Sequence, residues 1–85
     1  MKLRHENVSA RRIDGDIIVL DLTSSQYFTV TGSGVLLYDL LETGATEDDL
    51  VAAMLAEYEV DEAVARADVA GFVQKLTDAG LVESR

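Results

Sequence analysis

The sequence predicts an α+β domain: a three-stranded antiparallel sheet followed by three helices. Three observations predict it. β-Branched and aromatic residues gather in two runs, Ile17–Ile18–Val19–Leu20–Asp21–Leu22 and Gln26–Tyr27–Phe28–Thr29–Val30. Asp14–Gly15, ahead of both, is the dipeptide of a tight hairpin turn, where glycine supplies the positive φ. From Ser33 onward apolar residues recur at helical spacing, punctuated by glycines and by capping residues. Strands first and helices afterwards give segregated layers rather than alternating βαβ units.

The first strand is expected at Val8–Ile13 and the second at Asp16–Leu22. A polar break, Thr23–Ser24–Ser25, leads into the third at Gln26–Val30. Tight turns between them make a meander, with the third strand at one edge. In that strand Phe28 and Val30 share one face, the one toward the helices, and Tyr27 and Thr29 share the other. Gly32–Ser33–Gly34 eases the entry to the first helix, about Ser33 to Thr43, with Thr31 able to cap it and Gly44 ending it. Thr46–Glu47–Asp48–Asp49 resembles a capping box. The second helix follows, with Leu50, Val51, Met54, Leu55 and Tyr58 on one stripe. Asp61 caps the third, whose core stripe is Ala65, Val69, Phe72 and Leu76, with Val73 beside it. Gly80 ends that helix and lets Leu81 fold back on Leu76.

At 85 residues and 48% hydrophobic content, one domain over residues 1–85 with one modest core is expected. With no cysteine there is no disulfide and no thiol nucleophile. No apolar run reaches the roughly 20 residues of a membrane span, and Met1–Asn7 lacks the apolar stretch of a secretory signal. A cytoplasmic, monomeric protein is expected. The net charge of −9 is uneven: residues 1–41 carry four Lys/Arg against five Asp/Glu, and residues 42–85 carry three against eleven. Such a field disfavours nucleic acid and anionic membranes, and either steers a basic or neutral partner or serves solubility.

Catalytic signals are weak. His5 is the only histidine and reads as a surface residue, with no second histidine or cysteine to build a metal cluster. Asp48–Asp49 and Glu57–Glu59–Asp61–Glu62 sit at helix starts and on solvated faces, where capping and the helix dipole account for them. Gly32–Ser33–Gly34 lacks the lysine and spacing of a phosphate loop. No enzyme, metal or cofactor is expected. The edge strand offers more: its free N–H and C=O groups either accept a peptide as an added strand or face solvent.

The order of two strands, Tyr27–Phe28–Thr29–Val30–Thr31–Gly32, an apolar helix and Leu40–Leu41–Glu42–Thr43–Gly44–Ala45–Thr46 resembles the PqqD-like family. So do Tyr58–Glu59–Val60–Asp61 and the closing Asp68–Val69, Phe72–Val73, Leu76 and Ala79–Gly80–Leu81–Val82. The resemblance runs from about Val8 to Val82. It implies a winged-helix-like fold and a recognition element for ribosomally made, modified peptides (a RiPP recognition element). Such a protein binds the precursor's leader as an extra strand on its third strand, beside its third helix. An acidic chain with Leu20–Asp21 and Tyr27–Phe28 is most similar to the stand-alone leader-binding protein of lasso-peptide biosynthesis, whose partner is a separate leader peptidase. The quinone-cofactor member differs in carrying a proline-bearing turn, and this chain has no proline. Val30–Thr31 stands where members often have Leu–Asn.

The resemblance thus implies a peptide edge at Tyr27, Phe28, Thr29 and Val30, and a helix wall at Val64, Asp68, Val69 and Phe72. Val64 and Asp68 flank the core stripe on one side, Arg66 and Val73 on the other, and periodicity alone does not say which flank faces the peptide. The same outline suggests a winged-helix DNA-binding module, but a third helix region with Arg66 and Lys75 against Asp61, Glu62, Asp68 and Asp78 is not a basic recognition helix. An accessory subunit docking on an enzyme through its acidic helices is the other alternative.

Overall fold

The chain is described over residues 1–83 from a computed structural model; Ser84 and Arg85, part of the domain expected over 1–85, lie outside the described residues. The elements in order are β1 (Lys2–Leu3), β2 (Val8–Ile13), β3 (Asp16–Asp21), β4 (Gln26–Val30), α1 (Ser33–Thr43), α2 (Glu47–Glu57), α3 (Glu62–Asp78) and β5 (Val82–Glu83). Strands β2, β3 and β4 form the predicted antiparallel meander, in that order, and three helices follow.

The β2–β3 hairpin closes on the pair Ile13↔Asp16. Its two loop residues both have positive φ, Asp14 at 51° and Gly15 at 87°, the backbone of the turn whose twist matches the flanking strands. Asp and Gly stand at this turn because they bear that conformation at least cost. The β3–β4 connection is longer. β3 stops at Asp21, one residue short of expectation, and Leu22 opens the turn as an exposed residue. Ser25, at φ 59°, donates its N–H to the Asp21 carbonyl at 2.7 Å. The Asp21 carboxylate accepts the Thr23 N–H at 3.0 Å. That bond first, helped by Ser24 and by Arg4 at 3.2 Å, holds the carboxyl below its ordinary range.

Alternation then sorts the sheet. Ile17, Val19 and Val30 face inward and are buried, with Phe28 partly buried beside them, whereas Tyr27 and Thr29 face out. The inward face packs on Leu37, Tyr38 and Leu41 of α1, Leu50, Val51 and Met54 of α2, and Ala65, Val69 and Leu76 of α3. Leu55 and Tyr58, placed on the α2 stripe by periodicity, are exposed instead; α2 ends at Glu57, so Tyr58 is already outside the helix. Thr46 and Asp49 form a full capping box: the Asp49 N–H donates to the Thr46 hydroxyl at 3.1 Å, and the Thr46 N–H to the Asp49 carboxylate at 3.0 Å. Thr46→Ala is expected to cost about 1 kcal/mol, read as a lowered urea midpoint with an unchanged native spectrum.

The third helix ends as predicted, with its bonds now visible. The Leu81 N–H reaches the Leu76 carbonyl at 2.9 Å and the Gly80 N–H reaches Thr77 at 3.0 Å. This paired closure needs the left-handed residue that Gly80 supplies at φ 72°. Two features are corrections. Thr31 does not cap α1; Gly32 occupies the cap, with no side-chain hydrogen bond. Also, the polar-looking start of the chain forms a strand: Lys2↔Glu83 and Leu3↔Val82 pair antiparallel as a two-stranded ribbon, and Leu3 enters the core. A two-residue strand has no periodicity to read, and a single apolar residue among charges carries no signal. His5 is exposed as expected, but its Nε2 lies 2.7 Å from a Glu42 carboxylate oxygen.

Candidate functional site

Among the described residues β4 has a sheet partner, β3, on one side only. An edge strand presents unpaired N–H and C=O groups along its other side. Next to it runs a cleft of about 240 Å³. The strand and its exit supply Phe28, Thr29, Val30 and Thr31; α1 supplies Ser33 and Gly34; α3 supplies Asp68, Phe72 and Lys75. Positions 68, 72 and 75 are separated by four and three residues, so they form one face of the helix.

The floor is set by close packing at the start of α1. A Cβ on Gly34 would lie 3.1 Å from the Phe72 ring and 3.2 Å from a Val30 methyl. The bare glycine therefore lets α3 approach the strand exit and keeps the ring in the cleft. Here glycine serves close approach, not an unusual φ.

The eight residues singled out by sequence separate on the structure. Phe28, Thr29, Val30, Asp68 and Phe72 come together at the cleft. Val64 lies one turn before Asp68 on the same flank, 45% exposed and outside the lining. Tyr27 is in the edge strand by its backbone, but its side chain is 74% exposed on the opposite sheet face, beside Leu20 and Ile18. Val69 is only 1% exposed, sits in the core cluster and does not line the cleft. One residue step turns a helix by 100°, enough to move Val69 off the cleft flank that Asp68 occupies.

Of the two flanks of the stripe, the one with Asp68 lines the cleft, while Arg66 on the far side pairs with Asp48 at 3.1 Å and Glu62 at 2.9 Å. These two hydrogen-bonded carboxylates, Glu62 first, raise the Arg66 guanidinium above its ordinary range. Val73 lies away from the cleft too, beside Met1, Thr77 and Val82 of the ribbon side. Thr31, Ser33, Gly34 and Lys75 were not singled out as site residues. Lys75 was within reach, since it continues the spacing of Asp68 and Phe72. The α1 residues join the cleft only through the tertiary fold. Among the described residues no group of three or more His, Cys, Asp or Glu side chains is arranged to hold a metal, and no helix is long and apolar enough to cross a membrane.

The chain matches the family of coenzyme PQQ synthesis protein D (PqqD) over residues 16–82, which includes β3, β4, all three helices and every residue of the cleft. It belongs to the PqqD family. Two solved structures of similar proteins extend the likeness beyond the matched residues. One is TbiB1 in complex with the TbiA(beta) leader peptide, 30% identical with a TM-score of 0.89, covering 100% of this chain and 98% of that one. The other is lasso peptide synthetase B1 complexed with the leader peptide, 28% identical with a TM-score of 0.83, covering 94% and 93%. No curated protein sequence matches. This PqqD-family chain therefore shares nearly its whole fold with two proteins that were each solved with a leader peptide.

Proposed function

We propose that this chain binds the leader region of a ribosomally made precursor peptide in lasso-peptide biosynthesis, as a non-catalytic recognition protein. The leader adds as a strand to the free edge of β4, in the cleft between β4 and α3, and is presented there to a separate leader peptidase. The observation that carries this reading is the combination at one place of an unpaired strand edge and a second wall. Backbone groups of residues 26–30 fix register, and the partly buried Phe28 and Phe72 offer apolar contact to the inward side chains of the leader, with buried Val30 beneath them. The two leader-bound relatives of the same fold support it. Tyr27 contributes backbone rather than a pocket, Val64 extends the wall beyond the cleft, and Val69 supports the wall from behind. The protein acts as a monomer in the cytoplasm.

Duplex DNA is a poorer fit. Of the two basic residues on α3, Arg66 is committed to Asp48 and Glu62, which leaves Lys75 among the carboxylates of an acidic domain. Amide exchange tests the strand addition. In an edge strand alternate N–H groups point away from the sheet, so on adding the cognate leader the outward-pointing amides of residues 26–30 should slow strongly. Protection confined to α1, or to the outer edge of β2, would refute the placement.

A further inference from the structure

Of the charged side chains around the cleft, two have opposite sign and no ion-pair partner among the described residues: Asp68 and Lys75. Arg66, the other basic residue of α3, is by contrast held by Asp48 and Glu62. Asp68 and Lys75 bracket Phe72 on the cleft face of α3. At 1.5 Å per residue they stand about 10 Å apart along the helix, a distance at which exposed charges are largely screened from each other at about 0.1 M salt. Each is thus free to meet a charge on whatever lies in the cleft.

The direction of the pair follows from packing. Ala79 and Leu81, just past α3, share a small hollow with Gln26 and Phe28, whereas Phe72 meets Val30 and Gly34. Lys75 therefore stands toward the start of β4, and Asp68 toward its exit. The first turn of α1, at that exit, carries no acidic residue of its own.

Resting on the leader-binding reading, we infer that the cleft selects its peptide by charge as well as by apolar contact: an apolar residue opposite Phe72, an acidic one toward Lys75 and a basic one toward Asp68. Inward side chains of an added strand recur every second residue, about 6.7 Å apart. Three successive ones span about 13 Å against the roughly 10 Å between the two helix positions, and long Lys, Arg or Glu side chains take up the difference. The ligand motif is therefore base–x–apolar–x–acid or its reverse, depending on the direction in which the strand adds.

A random 12-residue peptide display library, panned separately on the wild-type protein, Lys75→Glu and Asp68→Lys, tests it. Wild-type binders should carry an acid two residues to one side of an apolar position and a base two residues to the other. Lys75→Glu should exchange the acid for a base, and Asp68→Lys the base for an acid. Individual peptides should lose about three- to tenfold in affinity on the mismatched variant and regain it when the peptide charge is reversed. If all three proteins select the same charges, or reversal restores nothing, the charge selection is wrong. That result includes the case in which Asp68 only serves the α1 N-terminus, which Asp68→Lys would report as lost stability with unchanged selection. Phe72→Glu and Phe72→Ser, verified as folded by circular dichroism, separate the two levels. Peptides that lose binding on these variants but ignore the charges leave the leader cleft standing and overturn the charge selection alone. Peptides that bind them as well as wild type, or a library that yields no binders, overturn the cleft itself.

Discussion

Val69→Glu is expected to unfold the domain. Val69 is 1% exposed and packs in the cluster that joins α3 to the rest of the core. The cluster contains no buried polar or charged residue among those described, so a carboxylate there would find no partner. An unpaired buried charge costs several kcal/mol even after it neutralises itself or draws in water. Small domains have about 5–15 kcal/mol in total, and this chain belongs at the small end. A loss of at least about 3 kcal/mol is expected, seen as a collapsed urea midpoint or a spectrum without native helix. Asp68→Lys and Val64→Glu, on the exposed flank of the same helix, should keep the native spectrum. A folded Val69→Glu protein of near wild-type stability would mean that this side chain faces the cleft.

Phe72→Glu is expected to have the largest effect on leader binding. The ring lies at the cleft between Asp68 and Lys75, and it meets Gly34 and Val30. It is partly rather than fully buried, so a glutamate can turn its carboxylate to water and the fold survives. An incoming apolar side chain would then lose its aromatic contact and meet a charge. Aromatic anchors of this kind contribute about 2–4 kcal/mol to binding, roughly 30- to 1,000-fold in Kd. Titration of a labelled cognate leader, read by anisotropy, should show that loss, with circular dichroism unchanged. Affinity within a few-fold of wild type would remove α3 from the binding site.

The parts of the fold with a local signature were legible before the structure. Asp14–Gly15 acts through the backbone conformation of two adjacent residues, and Thr46 with Asp49, Asp61 and Gly80 each act through one or two hydrogen bonds within a few residues, so sequence spacing is enough to find them. The edge position of β4 followed from short turns, which permit only a meander. What was not legible depends on distant pairing. β1 exists only because Val82 and Glu83 lie beside it, and Gly34 matters only because Phe72 arrives from residues far along the chain. The division of α3 into a cleft face and a core face is the instructive case. Periodicity put Val69 and Phe72 on one stripe, but that stripe is wide enough for its margin, Phe72, to line the cleft while its centre is buried. Neighbouring positions on a helix stripe can therefore have opposite fates on substitution.

The β1–β5 ribbon has a consequence for the open edge of β4. It lies on the Val73 and Thr77 side of α3, across the buried stripe from Asp68, Phe72 and Lys75. Lys2 and Glu83 are direct partners in it, so the first and last strands of the described residues lie side by side, behind the helix that walls the cleft. Changes made in the ribbon are therefore expected to leave the open strand edge of β4 untouched. One helix thus separates the side that closes the two ends of the fold together from the side that stays open.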